Sequence, residues 1–151
     1  MPDLLVNLLK LPPLESAREF VVRRAQPFEL SAVRSFVAEN FSNNWADEIS
    51  IGFARQPVSV FVATIDREPV GFAAYECTRR AFFGPMGVIA SAQEKGVGKA
   101  LLLAAMWGLR EMGYVYAIIG AAGPVRFYQK AVGAIVIPDS EPGIYTDLLK
   151  Q

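Results

Sequence analysis

The chain has 151 residues, 52% of them hydrophobic and 20% charged, with Lys+Arg and Asp+Glu balanced at 15 each. That length suits one domain that hides most of its apolar surface, and the composition excludes a disordered chain. Charge balance removes the basic surplus expected of a nucleic-acid partner. The lack of histidine removes Ser-His-Asp and Cys-His catalysis and every His-ligated metal.

Residues 1–19 read as an N-terminal extension ahead of a domain at 20–151. Their apolar run, 4–11, ends at Pro12-Pro13. It is far short of the ~20 residues that span a bilayer, and it lacks the basic start of a signal peptide. No membrane contact is expected; the run either packs on its own domain or docks on a partner. Residues 20–25 predict a short strand. Pro27 then opens a helix with Leu30, Val33, Val37 and Phe41 on one face. Residues 40–45 read as a loop and 46–55 as a second helix. Residues 58–65 and 70–78 alternate as strands of a hairpin joined across Asp66-Arg67-Glu68-Pro69. A third strand, 82–90, carries Gly84-Pro85, where a missing N–H interrupts pairing. Residues 96–112 are the strongest helix, stopped by Gly113. A buried strand at 115–119, a short helix at 124–132, and strands at 134–138 and 144–149 complete a mixed α/β order. The lone Cys77 offers no internal disulfide, and a reducing, cytoplasmic setting is expected.

The segment Gln93-Glu94-Lys95-Gly96-Val97-Gly98-Lys99 lies between a strand and the best helix. Two glycines let successive amides face one anion. The helix N-terminus adds unpaired N–H groups and partial positive charge, and Lys95 and Lys99 add point charges. The pattern therefore suits a phosphate, its bland counterpart being a plain strand-to-helix turn. Leu101 breaks the dinucleotide fingerprint; Ala100 after Gly98-Lys99, and Gln93 in place of a first glycine, break the P-loop.

Gln93-x-x-Gly96-x-Gly98 after an extended strand, an Ala/Leu-rich helix, a buried strand and then Phe127-Tyr128-Gln129-Lys130 and Gly133 together resemble the GNAT superfamily of acyl-CoA-dependent N-acyltransferases over about residues 20–149. The resemblance implies a single mixed sheet of about six to seven strands, antiparallel with a central parallel, splayed pair, flanked by about four helices. It implies acetyl-CoA as co-substrate without a metal, and a small-molecule or protein amine as acceptor attacking directly in a ternary complex. Gln93, Glu94, Lys95, Gly96, Val97, Gly98 and Lys99 match the pyrophosphate loop. Met86, Gly87 and Val88 match the strand that pairs with the pantetheine arm. Tyr128 matches the proton donor to the departing thiolate. Where many members carry an Asn, residues 120–124 carry none.

Aminolysis of a thioester also needs a base, because an alkylammonium has a pKa of about 10.4. Without an imidazole the candidates are carboxylates, a tyrosine or water. Glu76, in an apolar strand with Phe72 and Ala74 on its face, is the expected base, acting through a water. Asp47 and Glu48 are alternatives for holding the amine. Asn44, Trp45 and Phe83 are expected to contact the acceptor. A homodimer through the late strands is compatible with this reading. The alternative function is a catalytically inactive acyl-CoA-binding regulatory module.

Overall fold

The computed structural model describes residues 1–15 and 19–150. In chain order its elements are β1 (Leu4–Asn7), β2 (Val21–Arg24), α1 (Leu30–Asn40), α2 (Asn43–Ser50), β3 (Val60–Ile65), β4 (Glu68–Tyr75), β5 (Phe82–Val88), α3 (Val97–Glu111), β6 (Tyr116–Ile119), α4 (Val125–Val132) and β7 (Ile135–Val136). Among the described residues the strands form one seven-stranded sheet, ordered β2-β3-β4-β5-β6-β1-β7. Neighbours run antiparallel except β5 and β6, which are parallel.

The sheet separates two apolar layers. On one side α3 buries Leu101, Leu102, Met106 and Leu109 against Ala73 and Tyr75 of β4. On the other, Val33 and Val37 of α1 and Ile49 of α2 cover Val60, Val62 and Phe72. The alternation of β4 thus reaches both layers, as period-two geometry requires. Asp66 and Arg67 form the β3–β4 hairpin turn with φ of 52° and 65°, the left-handed region that two-residue hairpins use. Cys77 is buried, and that burial pushes its thiol up to about 11.

Helix α1 is preceded by a 3-10 turn, Pro27–Glu29. There Glu29 accepts two bonds of 2.8 Å from the Arg23 guanidinium and one of 2.7 Å from the Gln26 N–H. The expected loop at 40–45 is shorter than its polarity suggested. Ser42 caps α2 by accepting from the Trp45 N–H at 3.1 Å, so Asn43, Asn44 and Trp45 are already helical.

The first strand departs furthest from the sequence reading. Residues 4–7 lie inside the sheet, pairing with β6 (Leu4↔Ile119, Val6↔Ala117) and with β7 (Leu4↔Val136). Leu4 and Val6 are fully buried. Conversely, 144–149 forms no strand: Asp147 turns left-handed (φ 52°) and interrupts extended backbone, leaving Leu148 and Leu149 exposed.

Leu4→Ala is expected to cost about 2–5 kcal/mol in urea unfolding. Leu9→Ala, on a side chain that is 57% exposed, should cost less than about 0.5 kcal/mol. Equal effects would mean that β1 adds nothing to the core. A second expectation concerns acid. Arg23 holds the Glu29 carboxyl down from its usual 4.5 to about 2. Its contribution is therefore present above pH 4.5 and lost as pH falls through about 2. The stability gap between wild type and Glu29→Gln should close over that window in acid titrations of unfolding.

Candidate active site

Strands β5 and β6 pair only at Phe82↔Ile118 and Phe83↔Ile119. From Gly84 (φ 117°) and Pro85 onward, β5 stays with β4 (Ala73↔Met86, Gly71↔Val88). Strand β6 ends at Ile119, and 120–124 lead into α4. Between the two opens a cleft of about 670 Å³. One wall is β5 from Gly84 to Val88. The other is residues 120–124 with Phe127 and Tyr128. Gln93 and Gly98 line it beside the loop, and Phe41 and Trp45 on the side of α1 and α2.

The glycine loop is built on backbone. A 3-10 turn, Ala90–Lys95, ends at Gly96, which caps α3 with φ 84° and ψ 8°. A side chain there would be strained. The first helical acceptance is from the Ala100 N–H to the Gly96 carbonyl at 3.2 Å, so the amides of Val97, Gly98 and Lys99 have no acceptor within the helix. A Cβ on Gly98 would sit 3.8 Å from Phe127 and from Val88, ordinary contact distance, so the position tolerates a methyl without a clash. The side chains contribute less than the motif suggested. Val97 is buried in the core and can offer only its backbone. Glu94 and Lys95 are exposed, and Lys99 pairs with Glu15 at 3.5 Å. The Gln93 amide donates to the Val88 carbonyl at 3.1 Å, tying the end of β5 to the loop.

Met86, Gly87 and Val88 line the cleft. The ring of Phe41 lies directly on the backbone of Gly87; a Cβ there would come within 2.5 Å of it. Phe41 also tilts against Trp45 at 5.7 Å and Phe72 at 5.4 Å. Phe83 and Trp45 reach the cleft, whereas Asn44 is exposed and outside its lining. Tyr128 is 7% exposed, edge-on to Phe83 at 6.1 Å and Phe127 at 5.2 Å. Burial pushes its phenol up to about 12, so it stays protonated across the physiological range.

Glu76 lies outside the cleft lining. The register slips between Ala73 and Tyr75, and Glu76 turns left-handed (φ 58°), which carries it off the face of Phe72 and Ala74. It is 4% exposed and accepts from the Ala81 N–H at 2.6 Å and the Tyr114 hydroxyl at 2.7 Å. Those bonds close the β4–β5 turn. Asp47 pairs with Arg34 at 3.2 Å, and Glu48 accepts from the Thr78 hydroxyl. Phe41 and Pro85 also belong to the lining, as do residues 120–124, the stretch where many family members carry an Asn. Phe41 was legible only as an apolar helix position, and small residues at 120–124 carry no chemical signal. Among the described residues no helix is long and apolar enough to cross a membrane, and no cluster of three or more Cys, Asp or Glu is placed to hold a metal.

The family model described as the acetyltransferase (GNAT) domain matches residues 56–131. Among solved structures, a GCN5-related N-acetyltransferase from Sphaerobacter thermophilus superposes with a TM-score of 0.72 at 20% identity, covering 90% of this chain and 48% of its own. One from Kribbella flavida gives 0.65 at 20% identity, covering 89% and 53%. A GNAT family N-acetyltransferase from Escherichia coli in complex with CoA gives 0.50 at 19% identity, covering 66% and 61%. The chain thus spans about half the length of the first two. No curated protein matches it.

The two glycines should respond oppositely to alanine. Gly87→Ala is expected to lower stability by about 1–3 kcal/mol, because the Phe41 ring has to move. Gly98→Ala, which adds a methyl at ordinary contact distance at the start of a helix, should leave the Tm unchanged or slightly raised. Thermal unfolding of both variants checks this.

Proposed function

Since the chain belongs to the GNAT acetyltransferase family, we propose that it moves an acetyl group from acetyl-CoA to a primary amine by direct attack in a ternary complex. The observation that carries the reading is the cleft between the parted strands. It joins unpaired helix-start amides at the loop to a neutral phenol inside.

The residues present fit the co-substrate. Gly98 lines the cleft with its backbone, which no side chain of its own covers. The amides of Val97, Gly98 and Lys99, at the positive end of α3, suit a pyrophosphate without needing a lysine. In this reading Lys95 adds only long-range attraction. Met86, Gly87 and Val88 offer the edge of β5 to the amides of the pantetheine arm. The Gln93 bond to the Val88 carbonyl holds that edge in place.

Acetyl-CoA supplies a thioester carbon open to attack and a sulfur able to leave with the electron pair. The chain's part is to place the amine against that carbon, offer backbone donors near Val88 to the developing oxyanion, and return a proton to sulfur. Tyr128 does the last. Its phenol, at about 12, is a weaker acid than a free thiol near 8.5. Yet the burial that disfavours the phenolate also disfavours the thiolate beside it, which narrows the mismatch. Glu76 is given no part in the proton path, being held by Ala81 and Tyr114; the amine's proton leaves to water.

Two variants test this against CoA release from acetyl-CoA over a panel of amines. Tyr128→Phe should keep acetyl-CoA affinity and lose about 10²-fold or more in kcat, the usual worth of a placed proton donor. Gly98→Ala should weaken acetyl-CoA binding at least tenfold while still folding. Binding of acetyl-CoA without release to any amine would make the chain a binding module instead.

A further inference from the structure

Acceptor amines differ in a property to which this cleft is unusually sensitive: whether they arrive charged. Among the described residues no side chain lining it carries a formal charge; the one charged group there is the amino group of Met1, a cation paired with Glu141, and the side chains that can bond a polar group are Gln93, Tyr128 and the Trp45 indole N–H. One N–H of Gln93 is committed to the Val88 carbonyl. The aromatic lining comprises Phe41 and Trp45, 5.7 Å apart, and Phe83 and Phe127 beside Tyr128.

The surrounding carboxylates are all engaged, Asp3 and Glu141 by backbone groups of the cleft-lining Ala121 and Met1. Glu76 is sealed by the Ala81 N–H and the Tyr114 hydroxyl. Glu48 accepts from Thr78. Asp3 accepts from the Ala121 N–H at 2.8 Å, and Glu141 pairs with the chain's amino group. Asp3 and Glu48 sit near Tyr145 with Arg79, beyond Gly120, and line no part of the cleft.

An alkylamine meets two penalties here. About one molecule in a thousand is unprotonated near pH 7.4, given a pKa of about 10.4, and no carboxylate or imidazole lines the cleft to remove the proton. Its ammonium also has to leave water for an apolar site without a counter-charge. The aromatic faces of Phe41 and Trp45 can attract a cation, but they hold it in the charged form, which has no lone pair to attack with. An amine attached to an aromatic ring escapes both penalties. Its conjugate acid ionises well below neutrality, so it arrives as the free base, and its ring matches the aromatic faces.

Resting on the acetyltransferase reading above, we propose that the acceptor is an aromatic amine, taken up as the neutral free base between Trp45, Phe41 and Phe83. The nitrogen lone pair forms the C–N bond to the acetyl carbon, and the C–S bond breaks with its electrons on sulfur. The surplus proton on nitrogen passes to water, and sulfur takes one from Tyr128, giving an N-aryl acetamide and free CoA.

The test compares two isomers of identical atoms, 4-methylaniline, neutral at pH 7, and benzylamine, a cation there. CoA release is followed from pH 6 to 9, with acetyl-CoA binding measured separately by calorimetry. At pH 7 the expected kcat/KM is at least 100-fold higher for 4-methylaniline, and flat across that range. Trp45→Leu should raise the KM for 4-methylaniline at least fivefold with the KM for acetyl-CoA unchanged. Benzylamine turned over as fast or faster at pH 7 would overturn the acceptor class and leave acetyl transfer standing. Acetyl-CoA bound but no release with either isomer, or with a wider panel of alkylamines, would overturn the acetyltransferase reading, and this inference with it.

Discussion

After Phe83 and Ile119, β5 and β6 stop bonding to each other, and the backbone groups so released need other partners. Each strand keeps one neighbour. Strand β5 continues along β4 to Val88, and β6 is paired over its whole length with β1. Each strand therefore retains one intact ladder, and the sheet can open without losing its continuity. Pro85 sharpens the effect, because it has no N–H to offer across the gap. The freed edge of β5 is the polar surface that a cleft walled by apolar side chains otherwise lacks.

A low-dielectric cleft sets the chemistry that can occur in it. Charged side chains stay outside: Lys95 in solvent, Lys99 with Glu15, Glu76 with Tyr114. What stays inside, besides the Glu141-paired amino group of Met1, are amides, whose dipoles need no counter-ion, and one phenol whose ionisation the surroundings suppress. The missing histidine thus agrees with the whole cleft, where no neutral-pH titrating side chain is present at all.

Local features were legible in the sequence. Helix α3 and the turn at Gly96 follow from periodicity and from a residue type that tolerates φ 84°. The break at Gly84-Pro85 follows from a missing donor. Long-range features were not. Strand β1 pairs with residues more than a hundred positions away, and Leu4-Leu5-Val6-Asn7, a few residues before a proline pair, carries no trace of that. Alternation misplaced Glu76 because one register slip in β4 cancels the parity on which face assignments rest. The glycine motif located the loop but overstated its lysines, since a sequence does not reveal that Glu15 occupies Lys99. Phe41 was visible as a helix face, yet its seat on Gly87 depends on how α1 crosses the sheet.

The central position of β1 has a kinetic consequence. Its partners are residues 116–119 and 135–136, so the sheet cannot close until nearly the whole chain is available. Closing so large a loop before its contacts repay the entropy slows folding. Until then Leu4 and Val6, later fully buried, remain solvent-exposed on the nascent chain. The helix and hairpin that precede β6 can form early. The wall of the cleft at residues 120–124, which hangs from β6, is among the last parts to take its place, so binding competence should appear late in folding, together with the docking of β1.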